Sequence, residues 1–442
     1  MTLRQRVVVI GGGMAGARIA QQLDTGVDLT VVGEERHAPY NRVLLAEVLG
    51  GQYAPEVIAL PTRPAVRWMH GVRAVRIDRE ERRVVCDEGS VLPYDVLVLA
   101  TGASPVLPPL RGLFAAGAGE LPDGVRAFRT MDDCLALRDE ARPDVGAVVV
   151  GGGLLGVSAA RALARRGVQV VLAHQGERLM ERQLDAGAAA LLRRHLEELG
   201  VEVHTECRVR GLRTQPNGRS NAGAVRSVEL ADGYRLDAGL VVIACGVRPR
   251  VGLARAAGLE ISRGVVVDDR LRTSDPHIYA VGDCAEHEGV LYGLAGPAQE
   301  QADTAARVLT AALAGARATG APAVPGYRGT RALTRLTLGA PPLGGATDHG
   351  AAGRWRSDPP PPLDLAAFGE PTPREDDDVV QLADATRGIY RKVVVRGDRL
   401  VGGILLGDLR TVGTLARAWE GDEALPSEPL LHLLTHAPDG GQ

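Results

Sequence analysis

Gly11, Gly13 and Gly16, set behind the apolar run Val7–Ile10 and followed by an acidic residue at Glu34, form a pattern suited to phosphate and ribose recognition. Gly11 permits a tight turn, Gly13 lets a pyrophosphate approach the backbone, and Gly16 lets helix and strand pack closely. A helix beginning there offers free N–H groups and a positive dipole end to the phosphates. Glu34 stands where a carboxylate accepts both ribose hydroxyls. The elements that must position these residues read clearly around them. Val7–Ile10 is predicted as a buried strand, the residues after the turn as a helix, and Leu29–Val32 as a second strand. The whole dinucleotide-binding unit is therefore present, rather than an isolated GxGxxG.

The same pattern recurs at Ala147–Gly156, with Gly151, Gly153 and Gly156 ahead of the helical ARALARRG and the strand Val168–Ala173. Each copy closes alike, with a hairpin before a final strand, in Arg83–Gly102 and Val228–Gly246. The offsets, 140 positions between Gly11 and Gly151 and 144 between Gly102 and Gly246, indicate a duplicated fold. Two nucleotide sites imply two nucleotides, and hydride transfer is the reason to bring them together. An NAD site wants a carboxylate after the second strand and an NADP site an arginine. Here the strand runs into Ala173-His174-Gln175-Gly176-Glu177-Arg178. Glu177 could hold a 2′-hydroxyl, while His174, Arg178 or Arg182 could hold a 2′-phosphate; the reading leans to NADH.

Composition narrows the classes. A chain of 442 residues is expected to form two to four domains. Its net charge of -3 gives no reason to invoke nucleic acid or an anionic membrane. Apolar runs are short and no signal peptide is evident, so no membrane span and a cytoplasmic location are expected. The five cysteines, Cys86, Cys134, Cys207, Cys245 and Cys284, are widely scattered with no CxxC pair. That disfavours zinc, an iron–sulfur cluster or a dithiol pair, and no metal site is expected. Cys245 and Cys284 read as small fillers at the ends of buried strands, and His277 and His287 as surface or capping residues. The arginine-rich stretch Arg63–Arg83 reads as a solvated β face, with docking of an acidic redox partner as the alternative. Beyond Ala311 a linker leads to Pro341–Asp378, whose PPPP and EDDD runs predict a poorly ordered excursion. Tyr390–Val395 and Arg399–Leu406 are predicted to pair as a hairpin at Gly397-Asp398, with Thr411–Trp419 helical.

The two fingerprints, ATG at Ala100–Gly102, GVRP at Gly246–Pro249 and TSDPHIYAVGD at Thr273–Asp283 together resemble the FAD-dependent pyridine nucleotide oxidoreductases. PYNRVLL (Pro39–Leu45), LMERQLD (Leu179–Asp185) and YGLAGPAQEQA (Tyr292–Ala302) resemble the flavin-containing portion of the NAD(P)H nitrite reductase large subunit, with rubredoxin and ferredoxin reductases as near relatives. The resemblance is strong over residues 5–312 and weaker through Tyr327–Thr330 and Leu400–Asp408. It implies an α/β fold of two Rossmann-like, glutathione-reductase-type nucleotide-binding domains plus a small α+β C-terminal domain. The expected division is 1–118 with 247–322 for FAD, 119–246 for NAD(P), and 323–442 for the C-terminal domain.

By the same resemblance FAD would lie on Gly11, Gly13, Met14, Ala15 and Gly16, with its ribose on Glu34. Arg42 would sit near the isoalloxazine end or the pyrophosphate, and Ala100, Thr101 and Gly102 would line the return strand. Gly282 and Asp283 would meet the ribityl chain, and Pro297 belongs to a helix, Gly296–Leu309, whose N-terminus would face the flavin. NAD(P)H would take Gly151, Gly153, Leu154, Leu155, Gly156, Glu177, Arg178 and Gly246. Disulfide-using relatives carry cysteine in the helix after the first fold, but Asn41–Gly50 has no sulfur. Relatives often pair a lysine with a glutamate beside the flavin. Alignment puts Glu47 and Ser158 at those positions, so loss of the pair and a flavin harder to reduce are expected. Electrons would pass to a separate protein: a nitrite or nitrate reductase component, a ferredoxin or a rubredoxin. A reductase serving another pathway and a flavin-containing redox sensor are the alternatives. Six-electron nitrite reduction in that family relies on a sirohaem beside an iron–sulfur cluster, which needs gathered thiolates. A stand-alone reductase component is therefore expected.

Overall fold

The computed structural model describes residues 4–23, 26–114, 120–217, 222–315, 324–338, 362–422, 424–425 and 429–435. The chain divides into two compact units, each with its own parallel sheet.

The first unit comprises Met1–Leu45, Ala54–Ser104 and Val247–Ala332. Arg6–Ile10, apolar after its first residue, is the central strand of a five-stranded parallel sheet. Asp28–Gly33 and Arg67–His70 lie on one side, and Val96–Leu99 and Ile278–Ala280 on the other. Near-continuous Val/Ile/Leu runs suit such a sheet, because both faces of its inner strands are buried. Helix Met14–Gln22 packs against helix Ala295–Gly315, and Arg18 joins them by donating Nε and Nη2 to the two oxygens of Asp303 at 2.6 and 2.9 Å. The arginine-rich stretch supplies Arg67–His70 and, with its neighbours, the antiparallel sheet Ala74–Asp78, Arg83–Cys86 and Val91–Pro93. Much of its charge is paired within the unit, as in Arg79 with Asp275 at 2.7 Å and Arg83 with Asp78 at 3.1 Å.

The second unit comprises Ala46–Tyr53, Pro105–Gly246 and Leu333–Gln442. Gly146–Val150 is the central strand of its parallel sheet, flanked by Gln169–Ala173 and Val201–His204 and by Leu240–Ile243 and Val125–Ala127. The same unit holds a five-stranded antiparallel sheet in the order Leu333–Leu338, Leu363–Gly369, Arg399–Leu406, Ile389–Arg396, Asp378–Asp384. Helix Val412–Gly421 covers it, with Trp419 against Phe368 at 5.3 Å between ring centroids.

Two sequence expectations change here. Part of the span 341–378 expected to be poorly ordered is the strand Leu363–Gly369, because alternate residues of LDLAAFG enter a core that helix Val412–Gly421 closes; residues 339–361 lie outside the described residues. Tyr327–Thr330, grouped with the C-terminal domain from the sequence, belongs to the first unit. There the Thr330 and Tyr327 hydroxyls lie 2.6 Å apart, and the Thr330 N–H donates to the Tyr292 hydroxyl at 2.9 Å.

Candidate functional site: two glycine turns

In the first turn Gly11 has φ +118°, and a Cβ there would lie 2.0 Å from the Ala100 carbonyl oxygen. A Cβ on Gly16 would lie 1.9 Å from the Gly11 oxygen. Both glycines are therefore imposed by backbone packed on backbone. Gly13 is different: nothing lies within 4 Å of its Cβ position, and the same holds for Gly102. Gly13 caps helix Met14–Gln22 in an extended conformation with no side-chain cap, leaving the first helical N–H groups, at Met14 and Ala15, to whatever binds there. Gly282, φ +78°, closes the far wall, where a Cβ would meet Ala15 at 3.2 Å and Ala298 at 3.6 Å. Its N–H donates to Gln301 at 2.8 Å, which ties it to helix Ala295–Gly315, the helix that carries Pro297 in its first turn.

Charged residues of the same unit pair with one another. Glu34 follows strand Asp28–Gly33 and pairs with Arg250, whose Nε also donates to Ser104 at 2.8 Å. Thr101 donates its hydroxyl to the Arg250 carbonyl at 2.9 Å. Arg42 donates to Glu35 at 2.6 Å, Tyr40 donates to the other Glu35 oxygen at 2.6 Å, and the guanidinium lies 5.1 Å from the Tyr40 ring centre. Desolvation works against the Arg42 charge, but Tyr40, Glu35 and Asp283 outweigh it and raise its pKa. Arg42 and Asp283, far apart in sequence, thus face each other electrostatically. Arg250 and Glu35 were missed by sequence reasoning. Their signals were the basic residue after GVRP and the doubled acid at Glu34-Glu35.

The second turn repeats the backbone. Gly151 has φ +114° with its Cβ position 2.4 Å from the Ala244 oxygen, and that of Gly156 lies 1.7 Å from the Gly151 oxygen. Gly153 and Gly246 are open, with nothing within 4 Å. Leu154 and Leu155 begin helix Leu154–Arg165, capped by Gly153. Here, however, the segment after the second strand folds back over the turn. Gly152 N–H donates to His174 Nδ1 at 3.1 Å, and Met180 N–H donates to the Gly152 carbonyl at 2.9 Å. Glu177 is exposed and paired with Arg178 at 3.2 Å.

Glu47 and Ser158 do not stand as expected. Ser158 donates its hydroxyl to the Leu154 carbonyl at 2.7 Å, inside its own helix. Glu47 pairs with Arg161, one turn further along that helix. The expected loss of an ion pair is corrected: a pair exists with the acid and base exchanged, and the repulsion expected from a lone Glu47 loses its ground. Arg161 is 1% exposed, and its Nε and Nη1, like Glu47 Oε2, have no hydrogen-bond partner among the described residues.

All five cysteines are free thiols. Cys284 is buried as expected, and burial pushes its thiol up. Cys245 is exposed, not a buried filler, because its strand Leu240–Ile243 ends two residues earlier. His277 is a surface residue near Arg82, at 2.8 Å. His287 is buried instead: its Nε2 lies 2.9 Å from Asp269 and its ring stands edge-on to Tyr327. Asp269, His287 and Glu288 form the one trio among the described residues with metal-ligand spacing, although both carboxylates are exposed.

Two open cradles on helix N-termini, one beside a carboxylate at a strand end, fit two dinucleotides. Residues 5–307 match the pyridine nucleotide-disulphide oxidoreductase model, and residues 362–421 match the rubredoxin NAD+ reductase C-terminal domain. The chain belongs to the pyridine nucleotide-disulphide oxidoreductase family. Proteins of that family bind FAD and NAD(P)H. The chain is 32% identical to a nitrite reductase [NAD(P)H] of Bacillus subtilis over 92% of this chain and 46% of that protein. It is also 32% identical to the assimilatory nitrate reductase electron transfer subunit of Bacillus subtilis, over 92% and 48%. The chain thus spans about half the length of the curated relatives it matches. A crystal structure of a ferredoxin reductase from Rhodopseudomonas palustris superimposes with a TM-score of 0.77, at 25% identity, over 98% of this chain and all of that one. No helix among the described residues is long and apolar enough to cross a membrane.

Proposed function

We propose that this chain takes a hydride from NAD(P)H onto FAD and hands the electrons to a separate redox-partner protein serving nitrite or nitrate reduction in the cytoplasm. One observation carries the reading: two glycine turns, each open at its middle glycine, in a chain whose five thiols are all unpaired. Segment 41–50, where disulfide-using relatives carry cysteine, has no sulfur, so the electrons are expected to leave for a separate acceptor. Bound flavin supplies the hydride-accepting chemistry; the chain supplies binding and orientation. Met14, Ala15 and Gly13 would hold the FAD pyrophosphate, Glu34 its ribose, and Arg42 and Asp283 its distal half. Gly151, Gly153, Gly156, Leu154, Leu155 and Gly246 would hold the pyridine nucleotide. Glu177 would favour NADH over NADPH, its pairing with Arg178 weakening the preference. Likeness to a ferredoxin reductase over the full chain supports a second acceptor class, a small iron–sulfur protein of another pathway.

The test is purification followed by three measurements: visible flavin absorbance, reduction of an artificial dye by NADH or NADPH, and ammonium formed from nitrite. Yellow protein with rapid dye reduction and no ammonium is expected. Colourless protein that refuses added FAD, or sustained ammonium production by this polypeptide alone, would overturn the reading. Slow cycling with a persistent reduced complex would favour a sensor.

A further inference from the structure

Of the 51 basic residues in the sequence only one is a lysine, Lys392. It is not a surface residue. Its side chain is 9% exposed, on strand Ile389–Arg396, and Nζ donates to Asp185 Oδ2 at 2.9 Å. Tyr390, two residues earlier on the same face of the strand, donates its hydroxyl to the same oxygen at 2.6 Å. The other Asp185 oxygen accepts the Ala188 N–H at 3.0 Å and so caps helix Ala186–Glu198. With both oxygens engaged, no free carboxylate edge remains for a bidentate guanidinium, and a compact ammonium is the cation that fits. Packing is tight as well: a Cβ on Gly187 would lie 2.9 Å from the Tyr390 ring.

Asp185 is the last residue of the segment 174–185 that folds over the second glycine turn. The opposite end is held by His174 Nδ1 on the Gly152 N–H and by Met180 N–H on the Gly152 carbonyl. Met180 takes the left-handed conformation, φ +52°, and Leu184 N–H bonds back to its carbonyl at 2.9 Å. A Cβ on Gly152 would lie 2.6 Å from Leu179, so segment and turn are in direct contact. Glu177 and Arg178 lie between these two anchors.

We propose that Lys392, with Tyr390, is a positioning residue for the pyridine nucleotide: by clasping Asp185 it seats segment 174–185 on the second glycine turn, so the C-terminal sheet sets nucleotide affinity. This rests on the reading of that turn as the pyridine-nucleotide site. Linkage makes the effect reciprocal, since a clasp that favours nucleotide binding must itself be favoured by bound nucleotide.

The single lysine makes the reciprocal effect readable in the unmutated protein. NAD+ and NADP+, which bind without giving up a hydride, are first titrated against the FAD-loaded full chain by quenching of its fluorescence. A pulse of an amine-acetylating N-hydroxysuccinimide ester is then given with and without the tighter-binding nucleotide, and the Lys392 peptide is quantified by mass spectrometry. Alkylation of Cys134, a buried thiol of the same unit, reports opening of the unit as a whole. Saturating nucleotide should slow acetylation of Lys392 at least fivefold while changing Cys134 alkylation less than twofold. In parallel, Lys392→Met should raise the nucleotide Kd at least fivefold and leave dye turnover at saturating nucleotide unchanged; Tyr390→Phe should do the same more weakly. Nucleotide that binds yet leaves Lys392 acetylation unchanged, or slows Lys392 and Cys134 equally, would overturn the proposal. Unmutated protein that binds neither nucleotide would overturn the reading of the turn itself, and the proposal with it.

Discussion

At both glycine turns the first glycine takes a positive φ so that a carbonyl, of Ala100 in one case and Ala244 in the other, can occupy the place of its Cβ. The third glycine of each makes room for the oxygen of the first, and the middle glycine faces open space. The turns part company after the second strand. In the first unit the strand ends at once in Glu34, held by Arg250. In the second the chain continues through 174–185, which bonds to both sides of Gly152. A Cβ on Gly12 would find only ordinary contacts, the nearest at 3.4 Å, whereas one on Gly152 would strike Leu179 and His174 below 3 Å. One backbone frame thus serves phosphate twice, while recognition of the ribose is left to local additions. A duplicated fold can diverge in what it reads without altering how it holds the pyrophosphate.

Substitution of the middle glycine at each turn should have the largest effects. Gly13→Glu adds a Cβ that meets nothing within 4 Å and a carboxylate that would repel the proposed pyrophosphate. It should fold and lose flavin, measured as absorbance retained after gel filtration, with affinity down at least 100-fold. Gly153→Glu should keep its flavin and lose pyridine nucleotide by a similar factor. Loss of both cofactors in both variants would mean the turns do not work separately.

The units also differ in their ion pairs. Arg161 and Glu47 in the second are enclosed, whereas Arg18 and Asp303 in the first are about a third exposed. Arg161→Met strands a buried carboxylate and should cost about 3–5 kcal/mol. Arg18→Met should stay within about 1 kcal/mol. Denaturant titration measures both, and the double variant Glu47→Leu/Arg161→Met should recover most of the larger loss. Equal losses for the two single variants would remove the distinction.

A smaller effect separates them by pH. His195, in helix Ala186–Glu198 of the second unit, is desolvated, and its pKa is lowered to about 4. The unfolded chain binds a proton there near pH 6.5 and the folded chain does not until about pH 4. Stability from this group is complete above 6.5 and falls as pH drops to 4, by up to about 3 kcal/mol. Asp408 in the same unit is held near 2, chiefly by Arg410, and its contribution fades only below its ordinary carboxylate range, so the windows are distinct. Protection factors in helix Ala186–Glu198, corrected for the intrinsic pH dependence of exchange, should therefore fall between pH 6.5 and 4 by more than those in helix Met14–Gln22. His195→Leu should flatten that slope.

The doubled architecture is legible along the chain, because glycines forced by backbone-on-backbone contact and β-branched runs buried on both faces are local requirements that leave local marks. So is the hairpin Ile389–Arg396 with Arg399–Leu406, whose apolar residues and Gly397-Asp398 turn lie close along the chain. Which charges meet follows from packing between distant elements. Arg250 reaches Glu34 across 216 positions, Arg161 reaches Glu47 across 114, and Lys392 reaches Asp185 across 207. None of these partners has a spacing that periodicity can read, since a salt bridge depends on where two elements pack and not on what lies beside each residue. For the same reason alignment could set Glu47 and Ser158 at the paired positions and expect the pair to be lost, while Arg161, one helical turn from Ser158, is the residue that meets Glu47. His287 looked like a surface residue until Tyr327 and Asp269 were folded against it.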